Sequence, residues 1–114
     1  MALGNAFQPG ILAQTTLSVT ASSGFTLIPP TTGGTGQWAQ GGECLEITNV
    51  GPAVVFLEFC GGGNPIVTAT VANSYAVLAG QCKIVSMHPG DNGVSAIGSA
   101  AGPTVVYVTR GNGI

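Results

Sequence analysis

The sequence predicts an all-β fold, a single-domain β-sandwich of jelly-roll-like type with about eight strands, on three observations. Short runs alternate apolar with hydroxyl-bearing side chains, as in Leu17-Ser18-Val19-Thr20-Ala21, the period-two pattern of a half-buried strand. Turn clusters built from 19 glycines and 7 prolines close these runs at intervals of about 8–12 residues. No window places apolar residues at i, i+3, i+4 and i+7 between caps, so no helix is expected. A chain of 114 residues is long enough for one hydrophobic core and too short for two. An up-and-down barrel is the alternative, because sequence alone does not say which strands pair.

The elements follow in order. Gly4, Gln8, Pro9 and Gly10 interrupt regular structure, so residues 1–13 are expected to form an extended N-terminal arm ahead of a domain spanning residues 14–114. The first strand covers residues 14–21. A Ser22-Ser23-Gly24 turn leads to Phe25-Thr26-Leu27-Ile28, which Pro29-Pro30 stops. Residues 31–42, TTGGTGQWAQGG, make a Gly/Thr-rich loop around the single Trp38. A hairpin follows, turning at Asn49-Val50-Gly51-Pro52. Further strands are expected at residues 66–72 with 75–78, then 81–87, 94–97 and 104–109. The chain closes in a loose tail from Arg110 to Ile114.

Charge is the unusual property. Charged residues make up 5% of the chain, against about 25% in an ordinary soluble domain, and none occurs from Met1 to Gly42. Such a surface has little like-charge repulsion to keep copies apart. Its hydroxyls and amides also desolvate more cheaply than charges would. Both facts point to a subunit of an assembly, here a homo-oligomer (dimer or trimer). With only Lys83 and Arg110 as permanent cations, the chain lacks the basic cluster that nucleic-acid binding requires. No apolar run reaches the roughly 18 residues of a membrane span, so no membrane partner is expected. The start MALGNAFQPG lacks a basic segment leading into an apolar one, so the product is expected to stay in the cytoplasm where it is made unless a particle carries it out.

Candidate chemistry is sparse. Cys44, Cys60 and Cys82 are separated by 15 and 21 residues with no CxxC pair. Even with His88 as a fourth ligand this spacing argues for free core thiols rather than zinc. His88 lies in a Pro-Gly-Asp-Asn-Gly turn with no nucleophile near it in sequence. Asp91-Asn92-Gly93 has too few oxygens for a calcium loop. Gly61-Gly62-Gly63-Asn64-Pro65 lacks the Lys-Ser/Thr and the helix of a phosphate loop. Arg110 is expected to be solvated. No catalytic, cofactor or metal residues are therefore assigned.

Three of the six charged residues, Glu43, Glu46 and Glu58, fall within residues 43–63. If Asn49 stands opposite Ala53 in a hairpin, Ile47 faces Val55, Leu45 faces Leu57 and Glu43 faces Phe59, which makes one core face. Glu46 then lies diagonal to Glu58 on the other face, beside Val54 and Phe56. That arrangement reads as an acidic and apolar docking surface for basic groups on a partner. Trp38 is expected either to plug the sandwich end or to anchor in a partner pocket. Phe7, Ile11 and Leu12 of the arm complete the expected partner interface.

One series resembles small all-β virion proteins of tailed bacteriophages. It runs Asn49-x-Gly51, Phe56-x-Glu58-Phe59-x-Gly61, Tyr75-x-Val77-Leu78-Ala79-Gly80, Ala96-Ile97 and Val106-Tyr107-Val108-Thr109-Arg110-Gly111-x-Gly113, across about the last three-fifths of the chain. The resemblance implies a non-enzymatic capsid cement or decoration protein. Its partner would be the major capsid protein and its place the outer surface of the virion head. The alternative is a tail or fibre module that recognises a host receptor or glycan.

Overall fold

The computed structural model describes residues 8–29, 44–88 and 90–112. Eight strands lie among them and no helix. They are β1 (Gln8–Val19), β2 (Gly24–Leu27), β3 (Cys44–Gly51), β4 (Val55–Cys60), β5 (Tyr75–Val77), β6 (Cys82–Ser86), β7 (Gly93–Gly98) and β8 (Thr104–Asn112). They form two four-stranded antiparallel sheets in the orders β1-β8-β3-β6 and β2-β7-β4-β5. β1 pairs with β8, β2 with β7, β3 with β6 and β4 with β5. That is the pairing order of one long antiparallel ribbon folded over on itself into a sandwich.

Alternation builds the core as expected. Leu17 and Val19 of β1, Leu45 and Ile47 of β3, and Val106 and Val108 of β8 point inward from the first sheet. Val55 and Leu57 of β4, Val77 of β5, and Val94 and Ala96 of β7 meet them from the second. Each buried Val, Leu or Ile contributes about 1.5–3 kcal/mol over its exposed state, so the shared interior is the main source of stability.

Four expectations change. First, β3 and β4 are not a hairpin: β3 pairs with β6 and β8, β4 with β5 and β7, and the chain crosses between sheets at residues 51–54. Side-chain parity is the same either way, because two strands facing one core from opposite sheets bury the same residues as two strands sharing a face. Second, residues 66–72 are no strand. Their backbone amides find side chains instead of a ladder: Val67 N–H donates to Cys60 Sγ (3.4 Å), Ala69 N–H to Ser23 Oγ (3.1 Å) and Thr70 N–H to Ser74 Oγ (2.9 Å). Third, residues 8–13, assigned to the arm, are the start of β1, with Gln8 opposite Asn112 and Pro9 opposite Gly111; the irregularity that Pro9 signalled is a register shift between Pro9 and Gln14. Fourth, the tail from Arg110 to Asn112 is the end of β8, held between β1 and β3. Phe7, Trp38 and the loop of residues 31–42 lie outside the described residues.

Asn49 makes the crossing. It sits at a core position of β3, fully buried, in line with Leu45 and Ile47. Its Nδ2 donates to the carbonyls of Ala53 and Val77, both at 2.9 Å, and its Oδ1 accepts from Gly51 N–H at 2.8 Å. Its backbone N–H donates to Gln81 O and its carbonyl accepts from Gly80 N–H. The side chain thus ties β3, the crossing and β5 of the opposite sheet together. Gly93 sets a second close contact: a Cβ there would stand 2.5 Å from the Phe25 ring and 2.6 Å from Thr26 O, so only glycine lets β2 lie against β7.

Replacing Asn49 by Ala takes the side-chain partner from two buried carbonyls and one part-buried amide, each loss costing about 1–3 kcal/mol. Urea unfolding of Asn49→Ala is expected to show a loss of at least about 3 kcal/mol with an unchanged denaturant slope. A loss below about 1 kcal/mol would show that the junction is held by something else.

Candidate functional site

The crossing of β3 and β4 divides the acidic surface expected from sequence. Glu46 stands on the outer face of the first sheet, opposite Ile84 of β6 and Thr109 of β8. Glu58 stands on the outer face of the second sheet, opposite Ser95 of β7. The two sheets pack about 10 Å apart with these side chains pointing away from each other. Phe56 and Glu58 do share a face, where Phe56 lies opposite Ala76 and Ile97; Glu46 does not join them. Ile11 and Leu12 lie within β1.

The second sheet's outer face is partly roofed by the β4–β5 connection, residues 61–74. Beneath it Cys60 and Ser95 are buried although they point outward. The Cys60 thiol lies 3.6 Å from Ser95 Oγ and receives the Val67 N–H. The roof ends at Ser74, whose Oγ donates to Glu58 Oε2 at 2.9 Å. Glu58 is thus half-buried and engaged in holding its own loop. The roof turns Ile66, Val67 and Val71 to the exterior, with Leu27 of β2 exposed on the same side.

The start of the roof interlocks with the β6–β7 connection. Gly63 N–H donates to Gly90 O (2.9 Å), Asn92 N–H to Cys60 O (3.3 Å), and Asn64 Nδ2 to Asp91 Oδ1 (2.5 Å). Gly62 has φ of +63°, and a Cβ on it would lie 2.2 Å from Gly90 O, so glycine is required where the loops touch. An open concavity of about 450 Å³ lies here, lined by Phe59, Cys60, Asn64, Val67, His88 and Asp91. It gathers a thiol, an imidazole and a carboxylate, a grouping that linear spacing does not reveal. As placed, the thiol is buried under Val67, His88 is exposed, and Asp91 is occupied with Asn64 through Oδ1 while its buried Oδ2 has no partner. A nucleophilic cysteine needs an accessible thiolate beside a base, which this arrangement does not provide.

The cysteines do not converge. Cys44 and Cys82 lie at opposite ends of the β3–β6 ladder, Cys82 beside Thr48, and Cys60 is in the other sheet. All three are free thiols, and no group of three metal-ligating side chains occurs among the described residues. Arg110, expected to be solvated, is half-buried and donates from Nη1 to Ile28 O at 2.9 Å. Burial lowers its pKa from the ordinary arginine range, which leaves it charged at every physiological pH. Lys83 places its ammonium 4.9 Å from the Tyr75 ring centre, a cation–π contact between β6 and β5.

What remains uncovered among the described elements is the outer face of the first sheet. Gln14, Thr16 and Ser18 of β1, Val105, Tyr107 and Thr109 of β8, Cys44, Glu46 and Thr48 of β3, and Cys82, Ile84 and Ser86 of β6 share it, and of these Cys44 is buried. Glu46 is its one formal charge among the described residues, and Tyr107 and Ile84 are 36% and 39% exposed. Sequence reasoning found Glu46 but missed this face, because its twelve residues come from four separated segments. The alternation that marks them as outward was legible; their adjacency was not.

No protein-family model matches the chain, and a search of curated proteins finds no match. The fold and the surface therefore carry the functional argument.

The split of the two glutamates is measurable. In a double-mutant cycle of Glu46→Gln and Glu58→Gln, the effects on unfolding free energy are expected to add within about 0.5 kcal/mol, as for separated sites. A larger interaction energy would place the carboxylates on one face.

Proposed function

We propose that the chain is a non-enzymatic structural protein, a subunit that attaches through the outer face of its first sheet to a larger protein assembly. The observation that carries this reading is that face: four strands wide, bearing Glu46 alone as charge among the described residues, with Tyr107 and Ile84 exposed. A solvated sheet face usually alternates charged and polar residues outward. One made of Thr, Ser, Gln, Tyr and Ile loses little on being covered, since few charges need desolvation. Aromatic residues with few charges around them are also the composition of interface centres.

The specific form we propose is a cement or decoration protein on the outside of a phage head, contacting the major capsid protein. The sandwich architecture, the low charge and the resemblance of residues 45–114 to small virion proteins support it. The acidic docking surface is revised: Glu46 with Tyr107 and Ile84 replaces Glu46 with Glu58. A tail or fibre module for host recognition is the second reading, favoured by the concavity beside Asn64, His88 and Asp91 at one end of the sandwich.

Co-sedimentation with purified heads lacking the protein tests the proposal. Wild type is expected to bind, and Tyr107→Lys with Ile84→Lys to weaken binding at least about tenfold, the effect of roughly 1.4 kcal/mol. Ile66→Lys, on the roof over the other sheet, is expected to bind as wild type. Binding to host cells but not to heads would favour the second reading, and loss on Ile66→Lys alone would move the contact to the roof.

A further inference from the structure

The two long sides of the sandwich are finished differently. On one side β6 lies above β5, strands of 5 and 3 residues, and Lys83 reaches from the first to the Tyr75 ring of the second. On the other side lie β1 and β2. β2 has 4 residues and runs into Ile28 and Pro29, whereas β1, with 12, is the longest strand described. β1 pairs with β8 along one edge only, and no described strand lies along its other edge.

An edge strand offers alternate N–H and C=O groups to whatever comes beside it, and proteins guard such edges with lysine, proline, bulges or brevity. On β1 the guards sit at the beginning, where Pro9 stands and the register shifts before Gln14. Residues 14–19 are regular, each in register with β8 from Gln14↔Thr109 to Val19↔Thr104. They carry no charge. Their outward side chains Gln14, Thr16 and Ser18 are exposed, and an opening of about 180 Å³ touching Leu17, Val19 and Phe25 runs along the same side.

We infer that residues 14–18 pair with the same residues of a second copy of this chain. The two β1 strands run antiparallel across a two-fold axis at Thr16, and two four-stranded sheets become one of eight. The occupant follows from the side chains. At that axis Thr16 meets the partner's Thr16 and Gln14 meets the partner's Ser18, hydroxyl and amide pairs that hydrogen-bond across strands with no like charges opposed. The same pairing at β6, centred on Ile84, would set two copies of Lys83 diagonal to each other across the seam. A two-fold contact also repeats each pair, so one short uncharged strand supplies a complete self-complementary edge. The contact leaves the outer face of the first sheet open and doubles its width. The inference deepens the assembly reading, on which its biological use rests. Self-association is measured on the isolated protein and attachment with heads, so each can fail alone.

Sedimentation equilibrium of the full chain tests it. Wild type is expected to be a dimer. Thr16→Lys, which opposes two lysines at the axis, is expected to raise the dimer dissociation constant at least about tenfold, while Ser86→Lys on the β6 edge leaves it unchanged. Circular dichroism melting checks that both variants fold; should Thr16→Lys not fold, Ser18→Lys takes its place. In a Cys82→Ser background, Thr16→Cys is expected to oxidise to a disulfide-linked dimer, since directly opposed strand positions lie within disulfide reach. A wild-type monomer at all concentrations would overturn the inference, as would a dimer that Ser86→Lys dissociates and Thr16→Lys does not.

Discussion

The structure depends on one buried amide. Asn49 occupies a position where alternation would put an aliphatic side chain, and its two donors and one acceptor are all used. A buried carboxamide without partners would cost several kcal/mol. Satisfied by groups from the crossing and from β5, it makes one chain path cheaper than any other: out of the first sheet at Gly51 and into the second at Val55. A hairpin between β3 and β4 would bury the same aliphatic residues but would separate Asn49 from Val77 O. The hydrophobic pattern alone is neutral between the two paths; the amide is not.

From that partition the charge distribution acquires its meaning. In the sequence the acids look gathered, but the fold disperses them and gives most charged groups a structural task. Glu58 holds the end of the roof through Ser74, and Asp91 holds Asn64 where two loops interlock. Lys83 bridges one side of the sandwich to Tyr75, and Arg110 reaches Ile28 O across the sheets. Only Glu46 is left on the broad face of the first sheet among the described residues. The low charge of this surface thus has two sources, a composition with few charged residues and a fold that directs those few to loops, sides and interior.

Much of this architecture was legible in the sequence, and the parts that were not have a common cause. Leu45, Ile47, Val55 and Leu57 are recognisable as core because period-two alternation is local. The partner of each strand is not local, so the separation of Glu46 from Glu58 could not be read. Residues 66–72 look like a strand because Ile66, Val67 and Val71 have strand composition, yet Cys60, Ser23 and Ser74 satisfy their backbone from far along the chain or from its own turn. The tail at Arg110 looks loose in sequence because Gly111 and Gly113 suggest coil, while pairing with both β1 and β3 extends β8 to Asn112. Asn49 itself was readable in part: its parity with Leu45 and Ile47 places it inward, and an inward asparagine is a sign of a buried junction rather than a turn tip.

The most direct measurement is native-state hydrogen exchange at the Asn49 junction, which reads the free energy of opening at single amides. If Asn49 anchors the crossing, the amides of Asn49, Gly51 and Gly80 exchange only with global unfolding, as slowly as those of Val106 and Val108. Exchange of the three at loop rates, decades faster than the core strands, would contradict it.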